Sequence, residues 1–205
     1  MRVRVEKHTS SESIYQKYIK TIIDVLFASL LTVAVLPLLA LIAVSVKLTS
    51  PGPVLFKQLR YGKNSEKFWI YKFRTMQIDT PILADQDFYN KDKYLTPIGK
   101  FLRSTSLDEL PQLINILNGD MSFIGPRPLS DTDIEVISAR LENGADLIKP
   151  GITGYAQVNG RNTIDNEQKA YLDSVYAENI SLKFDVWIVF QTVFKVLSRK
   201  DINLN

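Results

Sequence analysis

Between Val25 and Val46 the chain carries no charged residue. A membrane-spanning helix takes roughly 20 apolar residues, so the run predicts a helix inserted in a bilayer. It is too long for a cleavable leader, and no small-residue cleavage site follows it. A core helix of a soluble protein rarely stays uncharged for so long. Pro37, near the middle, removes one helical hydrogen bond and predicts a kink. Arg2, Arg4, Lys7, Lys17 and Lys20 precede the run, and Lys47, Lys57, Arg60, Lys63 and Lys67 follow it. A simple span concentrates positive charge on its cytoplasmic side. With both flanks basic, the pattern favours a helix that enters, breaks near Pro37 and returns to the same face. An ordinary kinked span is the alternative.

Beyond the run, Ser50-Pro51-Gly52-Pro53 ends the helix. Val54–Arg60 and Phe68–Thr75 are rich in aromatic and β-branched residues around the turn signal Gly62-Lys63-Asn64-Ser65, which predicts a β-hairpin. Polar residues 81–92 predict a loop. Helical spacing is expected over Asp108–Leu117, stopped by Asn118-Gly119, and again over 134–141 and 163–178. Pro150-Gly151 and Gly154 punctuate a short extended stretch. The segment 182–200 is amphipathic, with Phe184, Trp187, Phe190 and Phe194 on one side and Lys183, Lys195, Arg199 and Lys200 among its charges. Such a helix suits either a membrane interface or a core-facing position. The expected fold is α/β and mostly helical: a small membrane-embedded domain with an N-terminal re-entrant helix (1–50) and a catalytic part (51–205) containing the hairpin and amphipathic interfacial helices.

Composition narrows the chemistry. The 205 residues include no cysteine and one histidine, His8, so disulfide, thiolate and histidine-based sites are not expected. Acid–base or metal chemistry then falls to carboxylates. A net charge of +3 does not by itself argue for nucleic acid. No nucleic-acid motif is present, and the basic residues are spread through structured segments.

Among carboxylates, Asp108-Glu109 stands out. Ser106-Leu107-Asp108-Glu109 reads as a capping box, with Ser106 and Glu109 closing a helix N-terminus. Pro111 opposes that reading, because proline is comfortable only in the first helical turn. A helix starting near Asp108 instead leaves both acids at a loop–helix junction, where backbone N–H groups attract phosphate. Two carboxylates there need a bridging cation, and Mg²⁺ takes one or two carboxylates plus substrate phosphates. Capping and function stay balanced on the residues alone. Cations fill the neighbouring segments: Arg127 in Gly125-Pro126-Arg127-Pro128, Arg161 beside Asn159 and Gly160, Lys72 and Arg74 on one face of the second hairpin strand, and Arg103 shortly before Asp108.

Several blocks in order resemble the monotopic phosphoglycosyl transferases, the bacterial sugar transferases that prime glycan assembly. They are the hydrophobic segment, Ile70-Tyr71-Lys72-Phe73-Arg74-Thr75-Met76, the stretch from Arg103 to Leu113, the stretch from Gly119 to Pro128, and the stretch from Lys149 to Arg161. Together they cover nearly all of the chain beyond its first fifteen or so residues. The resemblance implies that Asp108 attacks the sugar-bearing phosphate of a UDP-sugar, releases UMP and holds the phosphosugar covalently. A polyprenyl phosphate, typically undecaprenyl phosphate, then accepts it. Glu109 would help hold Mg²⁺ or assist the acceptor step. Arg103 and Arg127 match phosphate-contacting positions, and Lys72, Arg74, Asn159 and Arg161 would complete the substrate site. It also implies a re-entrant helix broken at proline, the bacterial inner membrane with the catalytic part on its cytoplasmic face, contact with phospholipids, and a role in exopolysaccharide or other glycoconjugate synthesis. The length implies the catalytic unit alone. Leu36-Pro37 departs from the Ser-Pro often found at the break, and leucine cannot bond the backbone groups that proline frees. Two rivals remain: a glycosyltransferase releasing UDP with Asp108 as a base, and a membrane-attached binding scaffold in which Asp108-Glu109 only caps a helix.

Overall fold

The computed structural model describes residues 13–81, 91–160 and 163–198. Arg161, the flank residues Arg2, Arg4 and Lys7, most of the 81–92 loop, and Arg199 and Lys200 lie outside them.

A π-helical turn at Tyr15–Ile19 leads into α1 (Lys20–Thr49), which stays α-helical through Pro37. Proline leaves the Val33 carbonyl without its usual donor but does not interrupt the helix here. One stripe of α1 faces the rest of the protein. Ala28, with Leu31 and Val35, packs beside Ile70, Leu113, Ile116 and Met121. Ile42 and Val46, with Leu39, pack beside Phe73 and Leu102. The opposite face exposes Leu26, Leu30, Val33, Leu41, Val44 and Leu48. Only 11% of the most apolar 18-residue window of this helix is buried, so α1 is not an ordinary enclosed core helix.

Both ends of α1 are tied to the same body. At the N-terminal end, Lys20 Nζ and Tyr15 Oη each lie 2.7 Å from Asp185 Oδ2. At the C-terminal end, the Arg74 guanidinium donates to the carbonyls of Ser50 and Pro51 and to Ser50 Oγ, holding the segment that leaves the helix. Gly52, at φ 113°, lets the chain turn there, and a Cβ at this position would strike the Arg74 guanidinium.

The hairpin forms as expected. β1 (Leu55–Tyr61) pairs antiparallel with β2 (Lys67–Phe73), with Leu55 opposite Phe73 and Tyr61 opposite Lys67. Asn64 and Ser65, at φ 56° and 57°, close it. A short α2 (Gly99–Ser104) follows. The helix expected over Asp108–Leu117 is not continuous. Ser106 is left-handed (φ 55°), Leu107–Glu109 form a 3₁₀ turn, and Pro111 immediately precedes α3 (Gln112–Leu117). Lacking an N–H, Pro111 fits just outside the helix and not within it.

β3 (Ser122–Ile124) and β4 (Gly151–Thr153) pair in parallel, Ser122 with Gly151 and Ile124 with Thr153, and α4 (Ile134–Asn143) lies between them in sequence. After α5 (Tyr155–Gly160) comes α6 (Asn166–Glu178). It starts three residues later than the spacing suggested, because Asp165 Oδ1 accepts from the Gln168 N–H at 2.7 Å and fixes the cap. The last helix, α7 (Leu182–Ser198), divides its surface between the two expected uses. Ile188 and Phe184 join the core around Tyr176, whereas Trp187, Phe190, Val193 and Phe194 stay exposed. Tyr176 Oη donates to Asp185 Oδ1 at 2.6 Å, so Asp185 joins α6, α7 and the base of α1.

Candidate active site

The hairpin and the turn before α3 bring together residues distant in sequence. Asp108 is buried and Glu109 half-buried. The Lys72 ammonium, from β2, lies 2.6 Å from Glu109 Oε1. The guanidinium of Arg127, on the loop after β3, approaches the same oxygen at 3.9 Å. Glu109 is thus turned toward cations, and Ser106 makes no capping hydrogen bond. The capping-box geometry is therefore absent.

The two acids experience different fields. Burial pushes the Asp108 carboxyl above the usual carboxylate range and the adjacent Glu109 pushes it further, while Lys72 and Arg103 pull it back. Burial likewise pushes the Lys72 ammonium down, with Glu109 opposing that shift and Arg127 adding to it. Asp108 is a desolvated carboxylate within the field of two cations, a setting for a nucleophile or base more than for a structural ion pair.

Arg103, at the end of α2, donates from Nε to Thr75 Oγ1 at 3.1 Å, and its charge acts on Asp108 from there. Lys72 and Arg127 thus meet at Glu109, and Arg103 adds its field at Asp108. Arg74, although two residues from Lys72, points elsewhere: it is buried and its guanidinium is engaged at the end of α1. Asn159 is exposed on α5 and bonds the Tyr155 carbonyl of its own helix at 2.7 Å. No described contact brings either of them to Asp108 or Glu109.

Two polar residues that sequence reasoning missed, Arg60 and Gln112, line a small cleft with Lys72, Glu109 and Arg127. Arg60 was legible in principle. It stands opposite Phe68, which alternates with Ile70 and Lys72, so the hairpin register puts it on the Lys72 face. Gln112 gave no such signal, because its burial depends on the displaced start of α3.

Asp108 and Glu109 are of the ligand type that Mg²⁺ takes. Among the described residues no group of three or more Asp, Glu, His or Cys could enclose a metal. Asp108 and Glu109 offer adjacent hard oxygens, and an ion that completes its shell with water and phosphate needs only one or two carboxylates.

The bacterial sugar transferase family matches residues 15–199, and the chain belongs to that family. Among individual relatives, it is 41% identical over 179 residues to the UDP-glucose:undecaprenyl-phosphate glucose-1-phosphate transferase of Escherichia coli, covering 84% of this chain and 39% of that protein. The enzyme of the same name from Caulobacter vibrioides is 42% identical over 188 residues, 87% of this chain and 70% of its own length. The UDP-N-acetylgalactosamine-undecaprenyl-phosphate N-acetylgalactosaminephosphotransferase of Aeromonas hydrophila is 39% identical over 186 residues, 88% and 44%. The chain thus spans about two fifths of the length of the first and third.

Proposed function

We propose that this protein transfers a phosphosugar from a UDP-sugar to undecaprenyl phosphate, releasing UMP, at the cytoplasmic face of the bacterial inner membrane. The observation that carries the reading is the asymmetric acid pair: Asp108 desolvated and available, Glu109 held by Lys72. A scaffold that used these acids to cap a helix would have no need of that arrangement. The names of the relatives supply the donor and acceptor classes.

In the first step an Asp108 carboxylate oxygen bonds to the sugar-bearing phosphorus. The bridging P–O bond of the diphosphate breaks, and its electrons leave with UMP. In the second step a phosphate oxygen of the polyprenyl acceptor bonds to the same phosphorus, and Asp108 departs as a carboxylate. Each step exchanges one P–O bond for another, so no oxidant or reductant is needed. Arg127 and Arg103 bind and orient the diphosphate, since planar guanidinium groups match phosphate oxygens. Lys72 holds Glu109 and lends positive potential where charge gathers on the transferred phosphate. Asp108 and Glu109 are the residues that would hold Mg²⁺, which supplies further charge neutralisation to such transfers.

The apolar exposed face of α1 supports membrane insertion. About 45 Å long at the usual rise of a helix, α1 would place its ends on opposite sides of a bilayer if it crossed as a straight span. Its Lys20 end and its Ser50 end are instead both bonded to the one body that carries the acids. In this reading the helix enters and returns on the same face, and Pro37, where the ladder lacks a bond, is the position at which it would break. The exposed Trp187, Phe190 and Phe194 of α7 rest at the interface among phospholipids.

The test is to supply the protein, in detergent or nanodiscs, with Mg²⁺, undecaprenyl phosphate and a panel of UDP-sugars. Lipid-dependent release of UMP is expected, together with a favoured sugar. Release of UDP would replace phosphosugar transfer by simple glycosyl transfer.

A further inference from the structure

Arg127 is exposed, yet the chain around it is held at several points. Gly125 N–H donates to the Thr153 carbonyl at 2.9 Å, Gly151 N–H to the Pro126 carbonyl at 2.9 Å, and Tyr61 N–H to the Leu129 carbonyl at 2.8 Å. Pro126 and Pro128 have no N–H, so the loop can do little to bond itself. At its apex the Arg127 carbonyl accepts a hydrogen bond from Arg140 Nη1 at 2.9 Å. Arg140, on α4, is only 8% exposed and gives its other two faces to Asp173 of α6, Nε at 2.9 Å and Nη2 at 2.6 Å from Oδ2. Asp173 is 1% exposed. Asn143, which donates to the Ala170 carbonyl at 2.9 Å, joins the same two helices one turn away. Neither Arg140 nor Asp173 lines the cleft.

A buried ion pair adds little net stability over apolar residues of similar volume, because desolvation offsets most of the attraction. What this pair adds is direction. A guanidinium is a planar fork that can grip a carboxylate with two N–H groups while aiming a third, whereas lysine offers a single point charge. We propose that Arg140, locked by Asp173, is a positioning residue: it fixes the main chain of Arg127 from behind and so aims the Arg127 guanidinium at Glu109 and the substrate phosphate. The last part of this role rests on the function proposed above.

The full chain in nanodiscs provides the test, with two ways of removing the directed donor. Arg140→Met/Asp173→Leu deletes both charges and leaves neither buried alone, and Arg140→Lys keeps a charge opposite Asp173 should the double replacement fail to fold. Each is compared in the native and Arg127→Ala backgrounds, using the UDP-sugar that gives the most UMP. A side chain displaced by an ångström costs on the order of 100-fold, so kcat/KM for the donor is expected to fall ten- to a hundredfold with Tm largely kept. In the Arg127→Ala background no further loss is expected, because coupled residues are non-additive. Wild-type kcat/KM, or a loss that adds in full to that of Arg127→Ala, would overturn the proposal. Hydrogen exchange of the segment around Arg127 gives a readout independent of turnover. Faster exchange there, with α1 unchanged, supports positioning, and unchanged exchange refutes it. A wild-type protein that releases no UMP would sink the functional reading while leaving this second readout decisive.

Discussion

Asp108 and Glu109 are neighbours with the same functional group, and their surroundings give them different work. Glu109 has a close cation, whereas Asp108 is buried and shares its cations with its neighbour. Asp108→Asn is expected to lower UMP release by at least about 1,000-fold, as loss of a covalent nucleophile does. The same change should leave Tm at or above the native value, since it removes a desolvated charge. The pH dependence of that difference follows from linkage. A carboxyl whose folded pKa is raised holds its proton more tightly in the native state, so its ionised form disfavours folding. Asp108→Asn and native protein should therefore have equal stability below the ordinary carboxylate pKa, near 4. The variant should gain as pH rises through the raised value and keep the advantage above it, as thermal unfolding across pH would show. Activity has the matching acid limb. The nucleophile must be ionised, so kcat/KM should rise with pH through a pKa above the ordinary carboxylate range. Lys72→Met should cost roughly 100-fold in kcat/KM, the scale of losing one preorganised electrostatic contact.

At the scale of elements, α1 depends on what meets its two ends. Arg74 closes the C-terminal end from within the body, so Arg74→Met leaves carbonyl acceptors at Ser50 and Pro51 without their donor. A loss of about 1–3 kcal/mol is expected by denaturant titration, the scale of hydrogen bonds from a charged donor to part-buried acceptors. The fall in donor kcat/KM should be smaller than for Lys72→Met. The longer helices and the hairpin were legible in the sequence, because periodicity, breakers and turn residues agreed over long stretches, whereas the six-residue α2 and α5 are too short to show a helical period and were not foreseen. The parallel pairing of β3 with β4 was not, since three-residue strands carry no measurable alternation and their partners lie far apart in the chain. The start of α3 was misplaced because a left-handed Ser106 is invisible to spacing. For the site, the acid pair and its cations were visible as residue types. Which cation serves which partner depended on contacts such as Lys72 with Glu109, 37 residues apart. Arg74, alternating with Lys72 in sequence, was drawn instead to the end of α1, just past the last residue of β2.

For the molecule as a whole, α1 lies along the body, so its ends are expected on one side of the membrane. The absence of cysteine makes this easy to examine. Single cysteines at Ser13 and Thr49, both exposed, should react with a membrane-impermeant maleimide from the cytoplasmic side alone. Labelling of one from each side would mean an ordinary span. The central claim, that phosphosugar passes through Asp108, is met most directly by incubating the protein with its UDP-sugar in the absence of lipid acceptor, quenching, and mapping the peptide that holds Asp108 by mass spectrometry. A phosphosugar adduct on Asp108, discharged by undecaprenyl phosphate and absent from Asp108→Asn, is the predicted result. Lipid-dependent UMP release with Asp108 unmodified, and retained in Asp108→Asn, would contradict it.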